Sequence, residues 1–443
     1  MKRVLMFSKQ AMAFHKPYTS EVYMKFVLIG AGQRGMIYAR YAYEKGHEIA
    51  AVAETDPVKR ETAAAEFGIP AEKCFESGEA LLAEPLLGDA AIIATMDRDH
   101  YREAVPAMEK GYHLLLEKPI SPVPEETLAI EETAVRTGRH VTVCHVLRYS
   151  PFFRELKKAI TSGKIGRVIT IQHNENIGNF HFAHSFVRGN WRRSDQASPL
   201  IMQKSCHDMD LLVWLTDSRC ESVASFGDLR HFTAENAPEG AAERCCDCPL
   251  KETCRFSAYR CYLPIAGNWP AAVLTEDQSE EGLRKAIQEG PYGRCVYHCD
   301  NDVCDHMVSI LRFANGITAT FNLSAFTSQM ARSLKIMGEN GEIRANEANN
   351  EIEIVYFAPT GMEECRRETI RPEESASGHS GGDSGIVNDF LAMLEGTLGE
   401  SSTDVHESVE SHMMACAAEE ARLTDSVVRI ADFRRAHERK PQV

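Results

Sequence analysis

Hydrophobic and polar positions fall into two regimes along the chain. In the first third, short apolar runs alternate with amphipathic stretches of helical length. Phe26-Val27-Leu28-Ile29 has no polar alternation, as in a strand buried on both faces of a parallel sheet. Runs at 47–53, 90–95, 112–116 and 141–145 read as four further strands, and 36–45, 58–67, 97–110 and 125–137 as the helices between them. That alternation predicts an α/β, Rossmann-type, doubly wound parallel sheet over residues 24–150. Beyond Ser150 the order changes. A helix at 151–161 and an alternating strand at 167–174 are followed by an amphipathic helix at 201–215. A hairpin at 303–326 turns at Asn315-Gly316, with Ile310, Phe313, Ala319, Phe321 and Leu323 expected on one face. Short strands flank Asn340-Gly341, another spans 351–357, and helices at 386–394 and 405–421 close the chain. This predicts a second, α+β domain over 151–435 with a large, mostly antiparallel open sheet. Residues 1–23 form an extension with no assigned role.

The first apolar run leads straight into Gly30-Ala31-Gly32-Gln33-Arg34-Gly35. Gly30 permits the tight turn, Gly32 lets backbone approach a pyrophosphate, and Gly35 lets the helix pack against the strand. The helix N-terminus offers N–H groups and a positive dipole end to phosphates. Glu54, at the end of the second strand, is placed to accept hydrogen bonds from a ribose diol. A glycine-rich turn without a ligand is the alternative. Strand carboxyl ends would gather Thr95, Glu117-Lys118-Pro119 and residues 145–148 around the same crevice.

Composition narrows the partners. The 443 residues are 44% hydrophobic and 26% charged, ordinary for a globular protein, and long enough for two or more domains. A net charge of −15 argues against nucleic acid or an anionic membrane as the main partner. No apolar stretch is long enough to span a bilayer. Lys2-Arg3 opens the chain like a signal peptide, but polar residues interrupt any apolar core, so a cytoplasmic location is expected. Fourteen cysteines in such a chain suggest reduced thiols or a metal site.

Gly-Ala-Gly-x-Arg-Gly, the acidic Glu54, Thr95 with His100, Glu117-Lys118-Pro119 and Arg148-Tyr149-x-Pro151 occur in sequence. Gly163-Lys164-Ile165-Gly166 and His207-Asp208-Met209-Asp210 follow. Together they resemble the Gfo/Idh/MocA family of nicotinamide-dependent sugar and polyol oxidoreductases, over about residues 24–435. The resemblance implies that Lys118 lies beside the nicotinamide and touches the reacting hydroxyl. It makes His207 the catalytic histidine and Asp210 its helix partner. Cofactor contacts are then expected from Gly30 to Gly35, Glu54, Thr95, His100, Glu117 and Lys118. A cation such as Lys118 at a strand end also stabilises alkoxide-like charge, and an imidazole accepts a hydroxyl proton near neutral pH. One departure stands out. Many polyol dehydrogenases carry an aspartate four residues before this histidine, and here the residue is Gln203, followed by Lys204.

Residues 174–193 mix hydrogen-bonding side chains with aromatic rings, which suits a sugar. The expected substrate residues are Arg148, Tyr149, His181, His184, Arg188, Trp191, Lys204 and His207. An insertion at about 230–297 carries Cys245-x2-Cys248-x5-Cys254 and Cys295. This is metal-ligand spacing, read as structural zinc first and an iron–sulfur cluster second, with Cys261 and Cys299 as rival fourth ligands. Unrelated thiols are the alternative. The expected activity is hydride transfer between a secondary hydroxyl of a sugar, cyclitol or glycoside and NAD, with NADP disfavoured by Glu54. Arg34 and Arg60 pull the other way. The expected assembly is a homodimer or homotetramer. Two rivals remain: NAD-dependent glycoside cleavage through transient oxidation and elimination, and a non-catalytic sugar or cofactor sensor.

Overall fold

The computed structural model describes residues 23–374 and 381–438. The first sheet contains β1 (Lys25–Ile29), β2 (Glu48–Ala53), β3 (Cys74–Phe75), β4 (Ala90–Ile93), β5 (His113–Leu116) and β6 (Val141–Val143). Its order is β3-β2-β1-β4-β5-β6, and every pair is parallel. The order reverses between β1 and β4, so the ligand crevice of such a sheet opens at their carboxyl ends. Local chemistry sets the helix ends. Asp56 accepts from Val58 N and Lys59 N, Pro57 opens the helix Pro57–Phe67, and Gly68 closes it at φ +70°.

The second sheet has nine strands: β7 (Val168–Asn176), β8 (Cys220–Asp228), β9 (His306–Phe313), β10 (Thr318–Ser324), β11 (Ala331–Gly338), β12 (Gly341–Asn346), β13 (Glu351–Tyr356), β14 (Arg367–Ile370) and β15 (Val427–Arg429). Its order is β14-β13-β12-β11-β7-β10-β9-β8-β15, with β7 and β10 parallel and all other neighbours antiparallel. The two-domain α/β plus α+β architecture is as expected, including the hairpin at Asn315-Gly316. Strands β8, β14 and β15 were not anticipated. Ile310 is a correction: it is exposed, on the opposite face from buried Phe313, Ala319, Phe321 and Leu323. A strand turns alternate side chains to opposite faces, so residues 310 and 313 cannot share one.

The single helix expected at 201–215 is broken. Leu200–Gln203 and Cys206–Thr216 are separate helices, interrupted at Lys204-Ser205. The insertion has a small core of its own, in which Cys245, Tyr262, Leu283, Ile287 and Tyr292 pack together.

The chain's end returns to the first domain. Phe390, on the helix Gly382–Leu394, packs against Phe26 of β1, and Val143 N donates to Thr403 O at 2.9 Å. Arg148 closes the junction, giving two bonds to Asp210 (2.8 and 2.7 Å) and one to Ser402 O (2.7 Å). Both members of this pair are buried. Below the junction lie two further buried imidazoles, His145 and His412, with ring centroids 5.3 Å apart. Burial first, and then His145, push His412 down to about 3. Among the described residues no helix is long and apolar enough to cross a membrane.

Two outcomes follow from this junction. Arg148→Ala strands the Asp210 carboxylate and should cost about 3–5 kcal/mol, read as a lower urea midpoint at unchanged m. His412 has a folded pKa below its unfolded value, so between about 3 and 6.5 the unfolded chain binds the extra proton and stability falls as pH falls. Urea titrations from pH 7 to 5 should show that slope, and His412→Gln should reduce it by about one proton, or ~1.4 kcal/mol per pH unit.

Candidate functional site

The turn after β1 is shaped by what surrounds each glycine. Gly30 has φ +90°, and a Cβ there would sit 2.6 Å from Ala94 O; a Cβ on Gly35 would sit 2.0 Å from Gly30 O. A Cβ on Gly32 would meet nothing within 4 Å. The first two glycines serve packing, and the third leaves the crevice side of the turn open to a bulky anion. Gly32 precedes the helix Gln33–Glu44, whose first N–H groups face that side. Glu54 sits across the turn: Oε2 accepts from Ala31 N (2.8 Å) and Oε1 from Asp56 N (3.0 Å). These residues fit a dinucleotide.

Arg34 and Glu117 are drawn into a buried network. Arg34 donates to Glu117 Oε1 (2.9 Å) and, through two nitrogens, to Asp383 (3.0 and 2.7 Å). Tyr38 donates to the same Glu117 oxygen at 2.9 Å. Burial opposes ionisation of Glu117, but Arg34 and Lys118 overcome it and hold the carboxyl below its usual range. Arg34 is therefore engaged inside the protein, and Arg60 donates to Glu54 O at 2.5 Å. Thr95 donates to Glu103 at 2.6 Å, and burial raises Glu103 to about 7. His100 Nδ1 donates to Pro119 O at 2.7 Å.

Lys118 sits at the centre of these contacts. Its N–H donates to Glu117 Oε2 (2.6 Å), and its ammonium donates to Gln203 O (3.0 Å), the last residue before the helix break. Two residues on, Ile120 N donates to His412 Nε2 (2.9 Å), while His412 Nδ1 donates to Ser408 O (2.7 Å). His207 lies in the first turn of the second half-helix and packs edge-on to His145, with ring centroids 5.7 Å apart. The imidazole of His145 is held neutral, chiefly by burial and then by Arg148 and Lys118. Gln203, where the family often has aspartate, turns its side-chain amide away to Trp191 O (3.0 Å) and Ser198 O.

The remaining expected substrate residues divide into two groups. Lys204 pairs with Glu175 (3.1 Å), and burial first and then Lys204 lower His181 to about 3; His181 and Trp191 are partly exposed. Lys204 directly follows Gln203, whose carbonyl receives Lys118 Nζ. Arg148 is spent on Asp210 and Ser402 O, and the Tyr149 hydroxyl donates to Asp389 (2.7 Å). His184 bonds the Tyr262 hydroxyl (3.1 Å) and stacks on Tyr292. Arg188 donates to Arg294 O and Phe256 O, both at 2.7 Å. Those four heads are committed to protein groups that join domain to domain or anchor the insertion.

The metal expectation is corrected. Cys245, Cys248, Cys254 and Cys295 do line one cavity of about 20 Å³, beside Arg188. Yet among the described residues no group of three or more His, Cys, Asp or Glu side chains is arranged to hold a metal ion. Neither zinc nor an iron–sulfur cluster is supported. Cys245 Sγ is instead a hydrogen-bond acceptor, for Arg188 Nη2 (3.6 Å) and Ala258 N (3.5 Å). Sequence spacing brought the sulfurs to one pocket but did not set the distances between them.

Sequence reasoning missed the roles of Asp383 and His412, and put His145 at the crevice without its imidazole neighbours. Asp383 meets Arg34 across 349 residues, and a lone histidine gives no local signal. From sequence, residues 375–384 read as a polar loop that either closes over the cleft or simply connects; residues 375–380 of it lie outside the described residues, as do residues 1–22 of the extension.

Comparison with known proteins agrees with this fold. The putative oxidoreductase YteT of Bacillus subtilis is 27% identical over 314 residues, 68% of this chain and 72% of its own. Inositol 2-dehydrogenase 4 of Saccharopolyspora erythraea is 30% identical over 227 residues, 49% of this chain and 60% of its own, so the match spans little more than half of that enzyme. Levoglucosan dehydrogenase, solved with NADH and L-sorbose, shares the fold at TM-score 0.66 and 19% identity, over 93% of this chain and 99% of its own. Residues 24–145 match the family model for the NAD-binding Rossmann fold of the Gfo/Idh/MocA oxidoreductases, and residues 157–430 match its C-terminal α/β domain. The chain belongs to the Gfo/Idh/MocA oxidoreductase family.

Proposed function

We propose that the protein is an NAD-dependent dehydrogenase acting on a secondary hydroxyl of a sugar, cyclitol or glycoside. The observation that carries this reading is the placement of the Lys118 ammonium against Gln203 O, at the break leading into the half-helix whose first turn carries His207. Residues 30–35 would hold the pyrophosphate and Glu54 the ribose diol; Thr95, His100 and Glu117 support the walls around them. When bound, the nicotinamide supplies the hydride acceptor. Lys118 orients the substrate hydroxyl and stabilises the negative charge that grows on its oxygen. His207 accepts the hydroxyl proton. Gln203 supplies no carboxylate to pair with His207, so its backbone oxygen serves only to aim Lys118. Relatives named as inositol and levoglucosan dehydrogenases support the substrate class.

The reading extends to location and assembly. All described cysteines are free thiols, which suits the cytoplasm. Phe226, Val308 and Ile310 are exposed on one face of the large sheet and suit self-association as a homodimer or homotetramer.

One NMR time course tests the function. Protein and NAD are mixed with inositols, free hexoses and aryl glycosides. A keto product formed in proportion to NAD supports the reading; aglycone released in excess of NAD would instead mean cleavage through transient oxidation. Lys118→Ala should lower kcat by about 10²–10³-fold, and His207→Ala by about 10²-fold or more, with NAD affinity within threefold of wild type. Glu54→Ala should lower the NAD-over-NADP ratio of kcat/KM by at least about tenfold, because it removes a carboxylate that would face a 2′-phosphate.

A further inference from the structure

The insertion has no part in the reading above, yet one of its residues packs against the segment 174–193 expected to meet substrate. Trp269 packs edge-on against two imidazoles of residues 174–193. Its ring centroid is 5.1 Å from that of His181, at 87°, and 5.7 Å from that of His184, at 75°. His184 is fixed from behind by Tyr262 and Tyr292, both in the insertion's core. The insertion is therefore docked onto this segment through rings, not loosely appended to it. His181 in turn feels the charge of Lys204, which Glu175 holds at 3.1 Å, and Lys204 follows the residue that receives Lys118 Nζ. Trp269 is thus in ring contact with the segment whose His181 lies near Lys204, the residue after the carbonyl that receives Lys118 Nζ.

Trp269 is 42% exposed despite this packing. An indole held by two imidazoles and still partly open to solvent is an amphipathic platform: its apolar surface packs on C–H groups while neighbouring polar side chains read hydroxyls. We propose that Trp269 is a specificity residue, forming an outer saccharide subsite in which a second sugar ring of a glycoside stacks on the indole while the first ring meets Lys118. Lys204 and His181 lie between the two rings and recognise hydroxyls along the way. This deepens the dehydrogenase reading and rests on it for the inner ring. It assigns the insertion a role in choosing glycosides over single-ring polyols.

The test uses the full chain with four probes: myo-inositol, methyl β-D-glucopyranoside, cellobiose and maltose. Tryptophan emission is titrated with each, in wild type, Trp269→Ala and Trp269→Phe; the chain has three tryptophans, so the signal is readily dissected. Thermal melts check that the variants fold, and NAD reduction is followed in parallel. A disaccharide should change wild-type emission, and that change should vanish in both variants. Trp269→Ala should raise KM for the disaccharide at least tenfold with kcat within twofold, leave KM for the single-ring substrates within twofold, and be rescued to within threefold by Trp269→Phe. Emission unmoved by all four sugars, or KM changed equally for one-ring and two-ring substrates, would overturn the subsite. Saccharide-dependent emission from Trp269 without NAD reduction on any probe would sink the dehydrogenase reading and leave the subsite standing.

Discussion

The structure depends most on how one ammonium group is held at the junction of two domains. Lys118 emerges from β5 on the segment 117–123, and the polar groups around it there have partners from different parts of the chain. Glu117 is neutralised by Arg34, Pro119 O is taken by His100, Ile120 N is taken by His412, and Lys118 Nζ rests on Gln203 O. Buried polar groups are costly when unpaired, so any shift of this loop breaks several bonds at once. The result is a cation whose position is set by the whole fold.

The helix break at Lys204-Ser205 is the counterpart of that loop. A continuous helix would give the Gln203 carbonyl to an amide four residues on. Interrupting it leaves this oxygen for Lys118 and starts a new helix at the turn carrying His207. The same half-helix is pinned at its second turn, where Arg148 crosses from the first domain to Asp210, and at Asp208, which pairs with Arg332 and His173. Burial opposes ionisation of Asp208, yet Arg332 and His173 hold its carboxyl below the usual carboxylate range. Asp208 and Asp210 are thus internal struts, and Asp210, expected from the resemblance as the helix partner of His207, is held by Arg148.

Local signals were legible in the sequence, and long-range partnerships were not. Apolar run length identified β1, β2, β4, β5 and β6, and Gly-x-Gly-x-x-Gly located the crevice, because both depend on neighbours along the chain. β3 and β15 are too short to show a pattern, and β8 and β14 carry enough polar residues to hide theirs. Arg148 and Tyr149 looked like substrate contacts because they are polar residues at a strand end. Their partners, Asp210 and Asp389, lie 62 and 240 residues away. The cysteines show the same limit: spacing predicted a common pocket but not whether their sulfurs would meet around an ion.

The most direct measurement is a crystal structure of the protein with NAD. The account predicts the pyrophosphate against the N–H groups of residues 31–35, the adenosine ribose diol at Glu54, and the nicotinamide ring beside Lys118 Nζ with His207 on the substrate side. A dinucleotide that binds elsewhere, or one whose nicotinamide lies beyond hydride distance of any atom that Lys118 and His207 can jointly reach, would contradict it.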